Sequence, residues 1–164
     1  MDSIKKLVGY PMKEIVPLIT DLLNDRKNVI ITARGNSMRP MVKNLRDAII
    51  LTSYKGGAEV GDVILYKREN GAFVLHRIVE KNEDGSFVLM GDFQTVREEG
   101  IKESQIIASL FGYIRKNKTV LCSSKKYQRY KNRWTKSKTR RKLYIKVVGF
   151  GAYTKAVIKK LFHD

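Results

Sequence analysis

The chain has 164 residues, 43% of them hydrophobic, and a formal charge of +17. The length suits one domain with a sizeable core, and the ordered apolar patterning excludes a wholly disordered chain. The basic balance favours acidic partners, such as nucleic-acid backbones or anionic lipid, without selecting among them.

Charge is spread unevenly. Residues 125–164 hold fourteen Lys or Arg against one acid, Asp164, so +13 of the +17 lies there. The expected organisation is an ordinary domain over 1–124 and a basic C-terminal extension over 125–164. No apolar run approaches the roughly eighteen residues needed to span a bilayer, and the first residues do not have the form of an export signal. The expected location is the cytoplasm, with peripheral attachment at the inner face of the membrane as an option. Cys122 is the single cysteine, so no intrachain disulfide can form. It ends an apolar run and reads as a buried structural thiol.

In chain order, Ile15, Leu18, Ile19, Leu22 and Leu23 recur at spacings of three and four, which predicts an amphipathic helix over 12–24. Pro17 either starts its regular part or kinks it. The period then shortens. Val29–Thr32, Ala48–Leu51 and Val63–Tyr66 read as strands. Asn70-Gly71 predicts a hairpin from the strand around Ile64 into Phe73-Val74-Leu75. Asp84-Gly85 predicts a second hairpin, joining Ile78-Val79 to Phe87-Val88-Leu89. Strands at Ile106-Ile107, Leu110–Ile114 and Thr119–Leu121 complete a sheet. Tyr153, Val157 and Leu161 lie four apart and predict a final helix over 152–162. The fold class is mainly β, with a mixed or antiparallel core, a short N-terminal helix and a basic, helical C-terminal extension.

Two segments carry chemistry. Gly35-Asn36-Ser37-Met38-Arg39-Pro40 places a serine at a turn, and His76 follows thirty-nine residues later in Val74-Leu75-His76-Arg77-Ile78. A serine hydroxyl needs a base to remove its proton. Neutral histidine can do so near pH 7, and an acid can hold the imidazole in the useful tautomer. The acid candidates are Asp92 and Glu98. Gly35 permits close backbone approach, so the Ser37 N–H and neighbouring donors are candidates for an oxyanion site. Met38 is expected beneath the turn, and Pro40 restricts Arg39. Asp62 reads as structural, and His163 as a tail residue.

From Val29 to about Arg115 the chain resembles the S24/S26 serine peptidases, which include signal peptidases and LexA-like self-cleaving repressors. The resemblance rests on Gly35-Asn36-Ser37-Met38-Arg39-Pro40, Gly61-Asp62 before an apolar strand, His76-Arg77-Ile78, and Gly91-Asp92. It implies a mostly β catalytic core with Ser37 as nucleophile. Where many members use lysine as the base this chain has His76, so it is more similar to the histidine-using signal peptidases, SipW-like forms included. In that branch an acidic pair follows Gly-Asp; here the pair becomes Arg97-Glu98. Glu98 could stand for the usual aspartate, and Asp92 could instead orient His76 or brace the loop.

The N-terminal anchor usual in membrane-bound members is not expected here. The resemblance implies a serine endopeptidase acting on an extended peptide or leader, through an acyl-enzyme and without cofactor. Gly35, Asn36, Met38 and Pro40 would line the substrate or oxyanion site. No Cys/His metal cluster or phosphate-cradling glycine loop is apparent.

Two other readings compete. A silent member could hold a peptide in the same groove. Alternatively, Tyr127, Tyr130 and Trp134 within the basic run could stack on unpaired bases while Lys and Arg contact phosphate. The partner expected first is a peptide or protein, then an anionic membrane surface through 125–164, and nucleic acid last.

Overall fold

The computed structural model describes residues 6–7, 12–136, 139 and 141–149. The helix expected over 152–162 and His163 lie outside the described residues.

The first helix, α1 (Met12–Asn24), buries Ile15, Val16, Ile19 and Leu23. Leu18 lies at its rim, 36% exposed, so the buried face is rotated slightly toward Val16. Pro17 is inside the helix. It removes one backbone donor there, and the packed face compensates for that loss.

Among the described residues nine strands form one sheet: β1 (Lys6–Leu7), β2 (Val29–Thr32), β3 (Ala48–Ser53), β4 (Val63–Lys67), β5 (Phe73–Lys81), β6 (Phe87–Met90), β7 (Glu98–Ile101), β8 (Ile106–Arg115) and β9 (Lys118–Leu121). Their spatial order is β1-β2-β3-β8-β4-β5-β6-β7, with β9 also paired to β8. The β1–β2 pair is parallel and the other pairs are antiparallel. Both glycine hairpins form. Arg68 N–H donates to Ala72 O at the first, and Asn82 N–H to Ser86 O at the second.

Three outcomes differ from the sequence expectation. The segments around Ile106 and Leu110 are one long strand, β8. It carries β3 on one side and, in tandem, β4 and β9 on the other. The segments read separately as Phe73–Leu75 and Ile78–Val79 are one nine-residue strand, β5, with His76 inside it. β7 continues the sheet past β6 over Glu98–Ile101. Its Glu-Glu-Gly composition hides it from pattern reading, because strand propensity is low there.

β4 shows how the sheet divides the core. Val63 and Leu65 join one apolar cluster with α1, the serine turn and Tyr127. Ile64 and Tyr66 join a second with Ile78, Phe87, Leu89 and Ile101. This is the two-sided burial expected of a continuous apolar strand.

The basic stretch begins with helix α2 (Lys125–Lys136), and the backbone is helical again over 141–149. α2 packs closely on the sheet. Tyr127 is 3% exposed within the first core cluster. Lys131 Nζ pairs with Asp62 at 2.7 Å, giving that aspartate a structural contact. Cys122 is half-buried, and burial pushes its thiol up to about 11. It is therefore protonated and unreactive near neutrality. Among the described residues no helix is long and apolar enough to cross a membrane.

Candidate active site

The serine turn runs from the end of β2 to the start of β3 and is held from several sides. Ala33 N–H donates to Asp47 O and Leu45 N–H to Ala33 O, closing its neck. Gly35 has φ +86°, a left-handed conformation that favours glycine, and its N–H donates to Asn44 Oδ1 at 2.9 Å. Met38, Met41 and Val42 are buried beneath the turn. The Arg39–Pro40 peptide is cis.

Arg115 clamps the same turn, donating to the carbonyls of Pro40 and Met41 and to the Asp47 carboxylate. Burial opposes ionisation of Asp47. Hydrogen bonds from Arg46, the Lys43 N–H and Arg115 outweigh it and hold the carboxyl down at about 2. The clamp therefore stays charged across the neutral range. Nothing in the local sequence announced the Arg115–Asp47 pair, which is sixty-eight residues apart.

Ser37 rests on the turn after β6. Phe93 N–H donates to Ser37 O at 2.7 Å, and a Cβ on Gly91 would stand 2.7 Å from the same oxygen. Only glycine lets these two backbones approach so closely. Gly35 and Asn36 are exposed and Ser37 is half-buried. Ser37 is among the residues lining an apolar groove of about 180 Å³. Met38, Ala33, Val42, Leu65 and Leu75 form its walls.

His76 and Glu98 meet because of strand register. Glu98 pairs with Leu89 in β6, and Leu89 pairs with Ile78 in β5. Residues facing each other across a sheet share a face, and so do residues two apart along a strand. Glu98 and His76 therefore converge over the second cluster. Glu98 Oε1 is 3.0 Å from His76 Nδ1. Tyr66 OH stands 3.3 Å from the same nitrogen. Arg68 grips Glu98 with two bonds, Nε donating at 2.7 Å.

Electrostatics fix the protonation states. Burial lowers the His76 pKa, and the Glu98 carboxylate only partly opposes that. His76 is therefore neutral near pH 7. Burial also opposes ionisation of Glu98, but hydrogen bonds from Arg68 and Tyr66 outweigh it and hold Glu98 below its ordinary value. An ionised Glu98 carboxylate 3.0 Å from Nδ1 favours the tautomer protonated there, which leaves Nε2 as the basic nitrogen of the ring.

Asp92 stands elsewhere. It is fully buried and takes two bonds from Arg77, at 2.8 and 2.7 Å. Tyr130 OH donates to it at 2.8 Å, and Trp134 Nε1 donates to its backbone carbonyl at 3.1 Å. Asp92 therefore braces the loop between the serine turn and α2, while Glu98 makes the contact with His76. The aromatic side chains of α2 are engaged in this packing; Tyr130 and Trp134 stack with ring centres 5.3 Å apart. Tyr127 is buried and Tyr130 and Trp134 are half-buried in this packing.

Ser37 and His76 share no direct hydrogen bond among the described residues. Ser37 lines a groove walled by the first cluster, whereas His76 lies opposite Ile64 over the second cluster and does not line that groove. No cluster of three or more His, Cys, Asp or Glu able to hold a metal ion occurs among the described residues. Tyr66 and Arg68 had not been singled out in the sequence. The Asn70-Gly71 hairpin was the usable signal for Tyr66, since it sets Ile64 opposite His76 and brings Tyr66 onto the same face. Comparison of the chain with protein-family models, with curated proteins and with solved structures finds no match.

Proposed function

We propose that this protein is a serine endopeptidase of the S24/S26, signal-peptidase-like kind, cleaving an extended peptide or leader segment. The observation that carries the reading is the pairing of buried His76 with half-buried Glu98, 3.0 Å between Nδ1 and Oε1. Such a pair supplies an oriented, neutral base. The Ser37 turn beside an apolar groove and the Ser-Met-Arg-Pro sequence agree with it. In this mechanism Ser37 Oγ attacks the peptide carbonyl while His76 Nε2 takes its proton. His76 returns that proton to the leaving amine, the C–N bond breaks, and water then hydrolyses the acyl-enzyme by the same route. Glu98 keeps the imidazole oriented and stabilises its transient charge. The groove takes apolar side chains of a peptide lying in extended form along the strands.

The test is cleavage of a diverse peptide library by the purified protein, with Ser37→Ala alongside. Cleavage by the wild type and none by the variant supports the reading and gives the sequence preference. The placement of the Ser37 groove with the first cluster and of His76 over the second, with no hydrogen bond between them, favours one second reading, a silent module that holds a peptide in the groove. That reading requires peptide binding equal in both proteins and cleavage in neither.

A further inference from the structure

A second cavity, about 220 Å³, lies between the β6–β7 loop and the C-terminal helices. Arg97, Arg141, Lys142, Glu80, Met90 and Trp134 are among its walls. Three cations thus face one carboxylate, and Glu80 is already paired with Arg97.

Arg141 is the unusual member. It is 5% exposed, yet its Nε has no hydrogen-bond partner among the described residues. Its Nη2 donates a long bond, 3.4 Å, to the Trp134 carbonyl. Arg97 Nε also lacks a hydrogen bond and stands 3.6 Å from Glu99 Oε1. A buried guanidinium with unmet donors is costly. Arg141, half-exposed Arg97 and Lys142 give this one cavity three cationic side chains, and a guanidinium fork suits a planar or tetrahedral oxyanion. Met90 and the Trp134 ring give the same cavity an apolar wall. Its volume is below the roughly 300–1,000 Å³ of drug-sized sites, so the occupant is compact.

We propose that this cavity binds a compact organic anion, a phosphate or carboxylate on an apolar or aromatic body seated against Trp134. The proposal stands independently of peptidase activity. The loop that walls the cavity does continue into the serine turn, through Trp134 Nε1 on Asp92 O and Phe93 N–H on Ser37 O.

Trp134 is the sole tryptophan, so its fluorescence reports the cavity directly. The full-length protein is titrated with phenyl phosphate, with benzoate and with neutral phenol at constant ionic strength. A saturable change with either anion and none with phenol is expected, and the responding anion distinguishes phosphate from carboxylate. Arg141→Gln should weaken binding at least about tenfold, as loss of a charge-assisted hydrogen bond implies. Arg97→Gln, on a different element, decides the matter if Arg141→Gln loses helical circular dichroism. The proposal is overturned by no saturation with either anion up to about 10 mM, weaker than any specific site of this kind. An equal response to phenol, or wild-type affinity in the folded variants, overturns it as well.

Discussion

Glu98 Oε1 lies 3.0 Å from His76 Nδ1, although the two residues sit on strands separated by β6. The contact depends on register alone. A one-residue slip of β7 would turn Glu98 to the opposite face of the sheet. Arg68 then holds the carboxylate where register delivers it. Glu98→Gln keeps the shape and removes the charge. It should lower kcat/KM by about 10³-fold or more, by analogy with loss of the orienting acid in other triads. Steady-state kinetics on the best library peptide check this, with unchanged near-ultraviolet circular dichroism confirming the fold.

Asp92 should behave in the opposite way. Its carboxylate is buried against Arg77, and removing one partner of a buried ion pair costs about 3–5 kcal/mol. Asp92→Asn should therefore shift the urea midpoint strongly. Tyr130→Phe deletes only one donor to Asp92 and should cost about 1–2 kcal/mol. Urea unfolding of both variants beside Glu98→Gln separates the bracing acid from the orienting one.

The pH dependence follows from the lowered pKa of His76. The base works when neutral, so kcat/KM should fall as pH drops through a midpoint below the ordinary histidine value of about 6.5. Glu98 raises that pKa, so Glu98→Gln should move the acidic limb to still lower pH. The unfolded chain binds the proton more readily than the native one. The contribution of His76 to stability is therefore full above about pH 6.5 and is lost as pH falls toward its lower native value. A pH–rate profile and urea midpoints between pH 4 and 8 measure both signs.

Gly91 tests the seat of the serine turn. A methyl there would meet Ser37 O at 2.7 Å, a contact that must displace one backbone. Gly91→Ala should lower kcat about 10²-fold, as a displacement of about 1 Å does elsewhere. The fluorescence of Trp134, bonded to the neighbouring Asp92 carbonyl, should show whether the rest of the loop is intact.

Much of this architecture was legible in the residues. The Asn70-Gly71 and Asp84-Gly85 turns gave both hairpins, since their backbone demands are local. The spacing of Ile15, Ile19 and Leu23 gave the first helix. Ser37, His76 and Glu98 were visible as chemical types in order. Their geometry was not, because it depends on pairings such as Glu98 with Leu89 that no local pattern encodes. Asp92 looked equivalent to Glu98 for the same reason. The Arg77, Tyr130 and Trp134 contacts that claim it come from distant positions. The basic run reads as an extension because charge dominates its composition. Its inward face, Tyr127 and Tyr130, is narrow but packs firmly on the core.

The most direct test of the central claim is a double-mutant cycle with Ser37→Ala, His76→Ala and the pair, measured on one library-derived peptide. Residues that act as one catalytic unit show grossly non-additive losses. Each single variant should therefore be about as inactive as the double. Cleavage that survives in either single variant, or losses that simply multiply, would contradict a Ser37–His76 mechanism.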